Sequence, residues 1–478
     1  MKWLQKEGTS EYHVPLLLLL AVGIIEFLFI TLERQFSGIG YYLAETYVIV
    51  PCLLLLGYAL RERRCPHAGR RLLLAGVAVG WFVIVQCIHK LSGMDNHPMA
   101  TVFFVYLMAF PFAFLADDRK NAGLGLIGGM FTVASLVLVG YSALLFFGKV
   151  PAGLTDEVFW DGARLNPLWH PNIAAGYFMI GIGFSLAFCF RAQKVLTRVL
   201  LLGAVVLQML AMALSNCRTT LLLTGALLGG TLFFLIVKGG GWKRFVLGLM
   251  AAAVLLVGTF KLSGMVFQWN NERMLSSLGE TQVESVATGE KLNALVTQKE
   301  EAPGEETPAE ETAGGVLVME ETGVLLGGNE QHRLSDDMRT LNGRTEIWGA
   351  ALRAVRDSRS LKLWGTEYSG TVISAYHWFD VVHAHNSWME VLLRMGIPGL
   401  VISLIFTVLS AFCAAKLLLS PKTVLWKKVI AMLTMCVMAT GFLEPYLFIT
   451  NVYYHVTDFV FFFLTGYLDF WSNRRQEM

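Results

Sequence analysis

His383-Ala384-His385-Asn386 puts two imidazoles and an amide directly ahead of a helix-forming run, Ser387 to Met395. Neutral imidazole is the side chain best matched to taking a proton near pH 7. After those nine residues the pattern breaks at Gly396-Ile397-Pro398-Gly399, and an apolar run long enough to cross a bilayer follows. Proton-transferring groups are thus tied to the mouth of a membrane helix, and the chemistry is expected there. Three arginine-bearing features accompany them. Arg218 lies in the tight turn Ser215-Asn216-Cys217-Arg218-Thr219-Thr220, and Arg344 follows Arg339 by five residues. Arg164 opens a stretch that passes through Pro167, His170 and Pro171 to Asn172.

Each feature also has a plainer reading. An arginine at a helix end commonly snorkels to lipid headgroups, Arg339 and Arg344 can be surface residues, and His170 beside proline can simply shape a turn. His383-x-His385, with His377 and Asp380 nearby, has the residue types of a zinc site. No second ligand cluster with recognisable spacing occurs elsewhere, so no metal is expected.

The elements that must position these residues are membrane helices. The 478 residues are 55% hydrophobic and only 15% charged, unlike a soluble chain of this length. A net charge of +2 suggests no nucleic-acid partner. The seven cysteines contain no Cys-x-x-Cys pair and indicate neither a zinc ribbon nor a disulfide framework. Apolar runs near 14–32, 42–60, 72–88, 101–115, 124–147, 173–190, 199–215, 219–237, 245–260, 397–415, 424–443 and 453–470 predict about 12 spans. The first lacks a small-residue cleavage site and reads as a retained anchor.

Basic residues set the expected orientation. The connections after every second span, from Arg61 to Lys428, together with the termini, carry 21 lysines and arginines. The opposite short connections carry five: Arg34, Lys90, Lys149, Arg164 and Arg218. By the positive-inside rule both termini are cytoplasmic, and residues 261–396 form one large extracytoplasmic loop. Within it, 279–328 is rich in glutamate, proline and glycine, a composition that predicts disorder. Behind Gly343-Arg344, the spacing of Ile347, Ala351, Leu352 and Val355 predicts an amphipathic helix over about 344–356. The chain then divides into helices 1–9 (1–260), the loop (261–396) and helices 10–12 (397–478).

Taken together, the four polar features resemble the O-antigen ligase and O-antigen polymerase family of bacterial cell-envelope glycosyltransferases. That family's signature is His followed by Asn, Ser or Gln, then nine residues, then Gly-x-x-Gly. His385-Asn386, Ser387 to Met395 and Gly396-Ile397-Pro398-Gly399 fit it without a gap. Arg218 after a helix end, Gly343-Arg344 with Trp348, and Arg164 with Pro171-Asn172 are similar to the family's arginine motifs. Cys217 stands where a serine is more usual, and Leu363-Trp364-Gly365-Thr366-Glu367 is a loose version of a Gly-rich stretch.

The resemblance implies an all-α, GT-C-like polytopic fold in the cytoplasmic membrane, with the active site outside the cytoplasm. It also implies a cofactor-free, metal-independent inverting transfer. A glycan would pass from a polyprenyl (undecaprenyl) diphosphate carrier to a hydroxyl on a lipid or glycan acceptor. Guanidinium suits the departing diphosphate better than ammonium, which assigns Arg218 and Arg344 to catalysis beside His385 as base. Arg164, Asn172, Arg339, Asn386 and Glu390 are the expected substrate-binding or orienting groups, Asn386 by holding one nitrogen of the His385 ring. A polymerase with the same chemistry is the near alternative. A twelve-helix transporter or flippase is the distant one, because transporters gather ionisable residues near the membrane midplane.

Overall fold

The computed structural model describes residues 69–93, 121–147, 171–238, 240–277, 344–366, 368–376, 383–444 and 455–473. Isolated positions between 17 and 57, 160 and 167, and 447 and 448 are also described. The long elements are helices. In chain order they are α1 (Gly69–Leu91), α2 (Ala122–Phe146), α3 (Pro171–Arg191), α4 (Val195–Ser215), α5 (Arg218–Val237) and α6 (Trp242–Ser277). Then come α7 (Arg344–Asp357), α8 (Arg359–Leu363), α9 (Ser369–Ser374), α10 (Ser387–Leu419), α11 (Leu425–Thr440) and α12 (His455–Asn473). A two-residue antiparallel pair, β1 (Trp160–Asp161) and β2 (Arg164–Leu165), precedes α3.

Among the described residues six helices are long and apolar enough to cross a membrane: α2, α3, α4, α5, α6 and α10. The chain is a multi-pass membrane protein. Helices α1, α11 and α12 occupy three more of the expected apolar runs but fall outside that set. The runs near 14–32, 42–60 and 101–115 lie wholly or mostly outside the described residues, as does the acidic segment. The apolar run expected to stop near 260 continues as helix to Ser277, because Leu262, Met265, Phe267 and Trp269 keep an apolar pattern going past Lys261.

Helix α3 is the axis of the bundle. It opens with Pro171, whose missing N–H costs nothing in a first turn, and it is buried along most of its length. Helix α12 brings a continuous buried block, Phe459-Val460-Phe461-Phe462-Phe463, into the same core. Helix α5 lies close against α6 through Gly225 and Gly229, where a β-carbon would press on Leu256 and on the Ala252 carbonyl. This small-xxx-small spacing lets membrane helices approach closely.

The two ends of the bundle differ chemically. At one end Arg191 and Lys427 lie over Trp426, Lys427 also over Trp471, and Lys428 donates to the Leu418 carbonyl. At the other end meet the start of α3, the α4–α5 turn, and the starts of α7 and α10. The turn after α11 joins them there.

Candidate active site

The β1–β2 pair holds Arg164 at the mouth of α3. Its Nε donates to the Ser215 carbonyl at 3.1 Å, and an Nη donates to Asn172 Oδ1 at 2.6 Å. Ser215 is the last residue of α4. Asn216 follows as a left-handed cap (φ 46°), a conformation asparagine tolerates better than most residues. Cys217 leads directly into Arg218, the half-buried first residue of α5. The Cys217 thiol is pushed up by burial, and it senses both Glu444 and Arg164 electrostatically. The turn carrying Arg218 is therefore part of this neighbourhood.

Glu444 is the hub. It lies in the turn after α11 and is only 5% exposed. Its Oε1 accepts from Arg344 Nη2 at 2.8 Å and from Asn172 Nδ2 at 3.2 Å. Its Oε2 faces His385 Nδ1 at 3.7 Å, an ion-pair distance rather than a hydrogen bond. That ring nitrogen is buried and has no hydrogen-bond partner among the described residues. Arg164, Asn172, Arg344 and His385 thus reach one carboxylate, directly or through one another.

His385 sits at φ 48° just ahead of α10. Asn386 is the N-cap, its Oδ1 accepting from Met389 N at 3.0 Å, and its Nδ2 donates to the Phe442 carbonyl at 2.9 Å. Its amide is therefore committed to capping, and the group facing the imidazole is Glu444, not Asn386. Ser387 ties the same junction to the turn after α11 by accepting from Leu447 N and donating to the Glu444 carbonyl. Glu390 is engaged with other groups. Its oxygens accept from Ser369 Oγ, Arg394 Nε and Ala384 N.

The neighbouring His383 ring stands 4.1 Å from that of His385. Burial, reinforced by the nearness of His385, lowers the His383 pKa to about 4, so it is neutral at ordinary pH. His377, Asp380, Arg339 and His170 lie outside the described residues.

Below the site, α10 breaks at Gly396 (φ 69°, ψ −172°), two residues before Pro398. A β-carbon on Gly396 would collide with the backbone of Leu363 and Lys362, and one on Gly365 (φ 74°) with that of Arg394. Thr366 N donates to the Leu393 carbonyl at 2.7 Å. The stretch 363–366 and the helix break are thus interlocked backbone to backbone, and Trp81 Nε1 fastens the join by donating to the Met395 carbonyl.

Glu444 was not among the residues singled out from sequence. An acidic side chain at the end of an apolar run, in Leu443-Glu444-Pro445, has no periodicity to flag it. Its place at the end of an apolar run, level with the helix ends that carry the other site residues, is the one available signal.

No curated protein matches the chain. The model of the O-antigen ligase family (Wzy_C, O-Antigen ligase) matches residues 203–404, which include Arg218, Arg344, His385 and the Gly396–Gly399 break. Over this stretch the chain is similar to the O-antigen ligase family.

Proposed function

We propose that the protein is a membrane glycosyltransferase of the ligase type. It moves a glycan from an undecaprenyl diphosphate carrier to an acceptor hydroxyl at the outer face of the cytoplasmic membrane. The observation that supports this most is the meeting of Arg344, Asn172 and His385 on the Glu444 carboxylate.

The acceptor hydroxyl gives its proton to His385 as its oxygen attacks the anomeric carbon. The bond from that carbon to the diphosphate oxygen breaks, and a single displacement inverts the configuration. With Nδ1 turned to Glu444, Nε2 is the nitrogen that takes the proton. The carboxylate steadies the imidazolium as it forms, as in other histidine–carboxylate pairs. The 3.7 Å separation fits a pair that tightens when substrate binds. Arg344 gives one Nη to Glu444 and, with five donors on its guanidinium, reaches the departing phosphates as well. Arg218 meets them from the α5 start. Positive charge aimed at the leaving group does the work a metal would otherwise do.

A direct test uses the purified protein in lipid nanodiscs with a polyprenyl-diphosphate-linked glycan and a hydroxyl acceptor. His385→Ala should abolish most transfer while donor binding persists, and His383→Ala should be much milder. Equal, severe loss in both variants, with chelator inhibition of the parent, would replace the base by a metal site. Single additions to the acceptor fit a ligase, and ladders of repeats would mark a polymerase.

A further inference from the structure

The segment that carries His385 is held in a shape it would not choose alone. A φ of 48° crowds the β-carbon of any residue but glycine, so surrounding structure must over-determine it. The peptide groups on both sides of Ala384 provide that constraint. The Ala384 N–H donates to Glu390 Oε2 at 3.0 Å, and the Ala384 carbonyl accepts from Trp348 Nε1 at 2.9 Å. Ala384 is fully buried, so neither group has water as a substitute partner. On the far side Asn386 is anchored by the capping bond and the Phe442 carbonyl. His385 therefore lies between two fixed neighbours.

Glu390 is well suited to be such an anchor. It is 1% exposed, and its oxygens are shared among Ser369 Oγ, Arg394 Nε and the Ala384 N–H. A buried carboxylate with this many donors is costly to disturb and rigid when intact. Trp348 lies one turn beyond Arg344 on α7, so the helix that presents the guanidinium also fixes the loop that presents the base.

We propose that Glu390 and Trp348 are positioning residues that pin the Ala384 peptide groups from opposite sides and hold His385 in the left-handed turn that points Nδ1 at Glu444. The inference rests on the reading of His385 as the base, and it takes Glu390 out of contact with substrate. A base displaced by about 1 Å loses on the order of a hundredfold in rate without losing its substrate.

The test compares Trp348→Phe, Glu390→Gln, Glu390→Ala and His385→Ala in the nanodisc transfer assay. Donor KM, kcat and the melting temperature of each variant are measured. Trp348→Phe keeps the ring and deletes only the N–H; kcat should fall about tenfold or more with donor KM within about twofold. Glu390→Gln keeps one carbonyl acceptor and should recover part of the rate that Glu390→Ala loses. A raised KM at unchanged kcat would make Glu390 a substrate contact and overturn the inference. So would parental kcat in both Trp348→Phe and Glu390→Gln while His385→Ala is inactive. Parental transfer by His385→Ala would instead overturn the reading of the base itself. Should Glu390→Ala not fold, Trp348→Phe and Glu390→Gln decide.

Discussion

Arg344 and Glu444 stand a hundred residues apart in the chain and are joined by a 2.8 Å ion pair, their side chains 14% and 6% exposed. Removing one member of such a sheltered pair leaves the other charge uncompensated. The pair is also shared with His385 across the same carboxylate. Disturbing Glu444 therefore alters both the cation expected at the leaving group and the base.

Glu444→Gln keeps the side-chain shape and removes the charge. The imidazolium formed during transfer loses its counter-ion, so kcat should fall on the order of 100-fold, within the range of general-base contributions. Donor KM should move much less. The measurement is steady-state transfer by a variant whose melting temperature is close to the parent's, and parental kcat would remove Glu444 from the mechanism.

Arg344→Lys and Arg218→Lys should each impair transfer although charge is retained. A charge-assisted bond from a planar fork is lost when guanidinium becomes ammonium. At about 1.5–3 kcal/mol for such a bond, the loss is roughly ten- to a hundredfold. Parental rates in both variants would make the two arginines headgroup-binding residues.

His383 should weaken the protein in acid. The folded chain does not protonate this residue until about pH 4, whereas an ordinary histidine binds a proton near 6.5. Between those values the unfolded state holds more protons. Stability is therefore complete above about 6.5 and falls as the pH drops toward 4. Melting temperatures in detergent across that window should decline less steeply for His383→Gln than for the parent. Parallel curves would show that His383 titrates normally.

The basic residues of alternate connections predict the orientation. A Glu306→Cys variant should react with a membrane-impermeant maleimide in intact cells, and protection until lysis would place the active site on the other side. Replacing 300–328 with a short Gly-Ser linker should leave transfer largely intact, because closure entropy changes only logarithmically with loop length. Loss of transfer in a correctly inserted variant would give the acidic segment a recognition role.

The residues that were legible in the sequence are those whose type and spacing are unusual in a membrane protein. Arg164, Asn172, Arg344 and His385 are polar or charged residues at helix mouths beside apolar runs, and the structure brings them together. The partner they share was not legible. Glu444 makes its contacts with residues 59, 100 and 272 positions away, and tertiary folding alone creates them. Local pattern also misled at Asn386, where a residue beside a histidine is more useful as a helix cap than as a partner to the ring. At Leu352 the apolar pattern continued, yet that side chain is half exposed while Ile347, Ala351 and Val355 are buried. The extension of α6 was hidden by Lys261, which ends an apolar run without ending a helix.

The stretch from the Asn386 cap to the Gly396 break works as a ruler. Its lower mark is fixed because Gly396 abuts the backbone of Leu363 and Lys362, and its upper mark because Asn386 is fastened to Phe442. Between them lie nine helical residues. One residue added or removed there would turn the upper end by about 100° and shift it by about 1.5 Å. His385 would then swing away from Glu444, and Glu390 would leave Ala384 in the same movement. Apart from those at residues whose side chains carry hydrogen bonds, Ser387, Glu390 and Arg394 among them, substitutions along Ser387–Met395 are a matter of packing, whereas any change in its length puts the base out of phase with the arginines it serves.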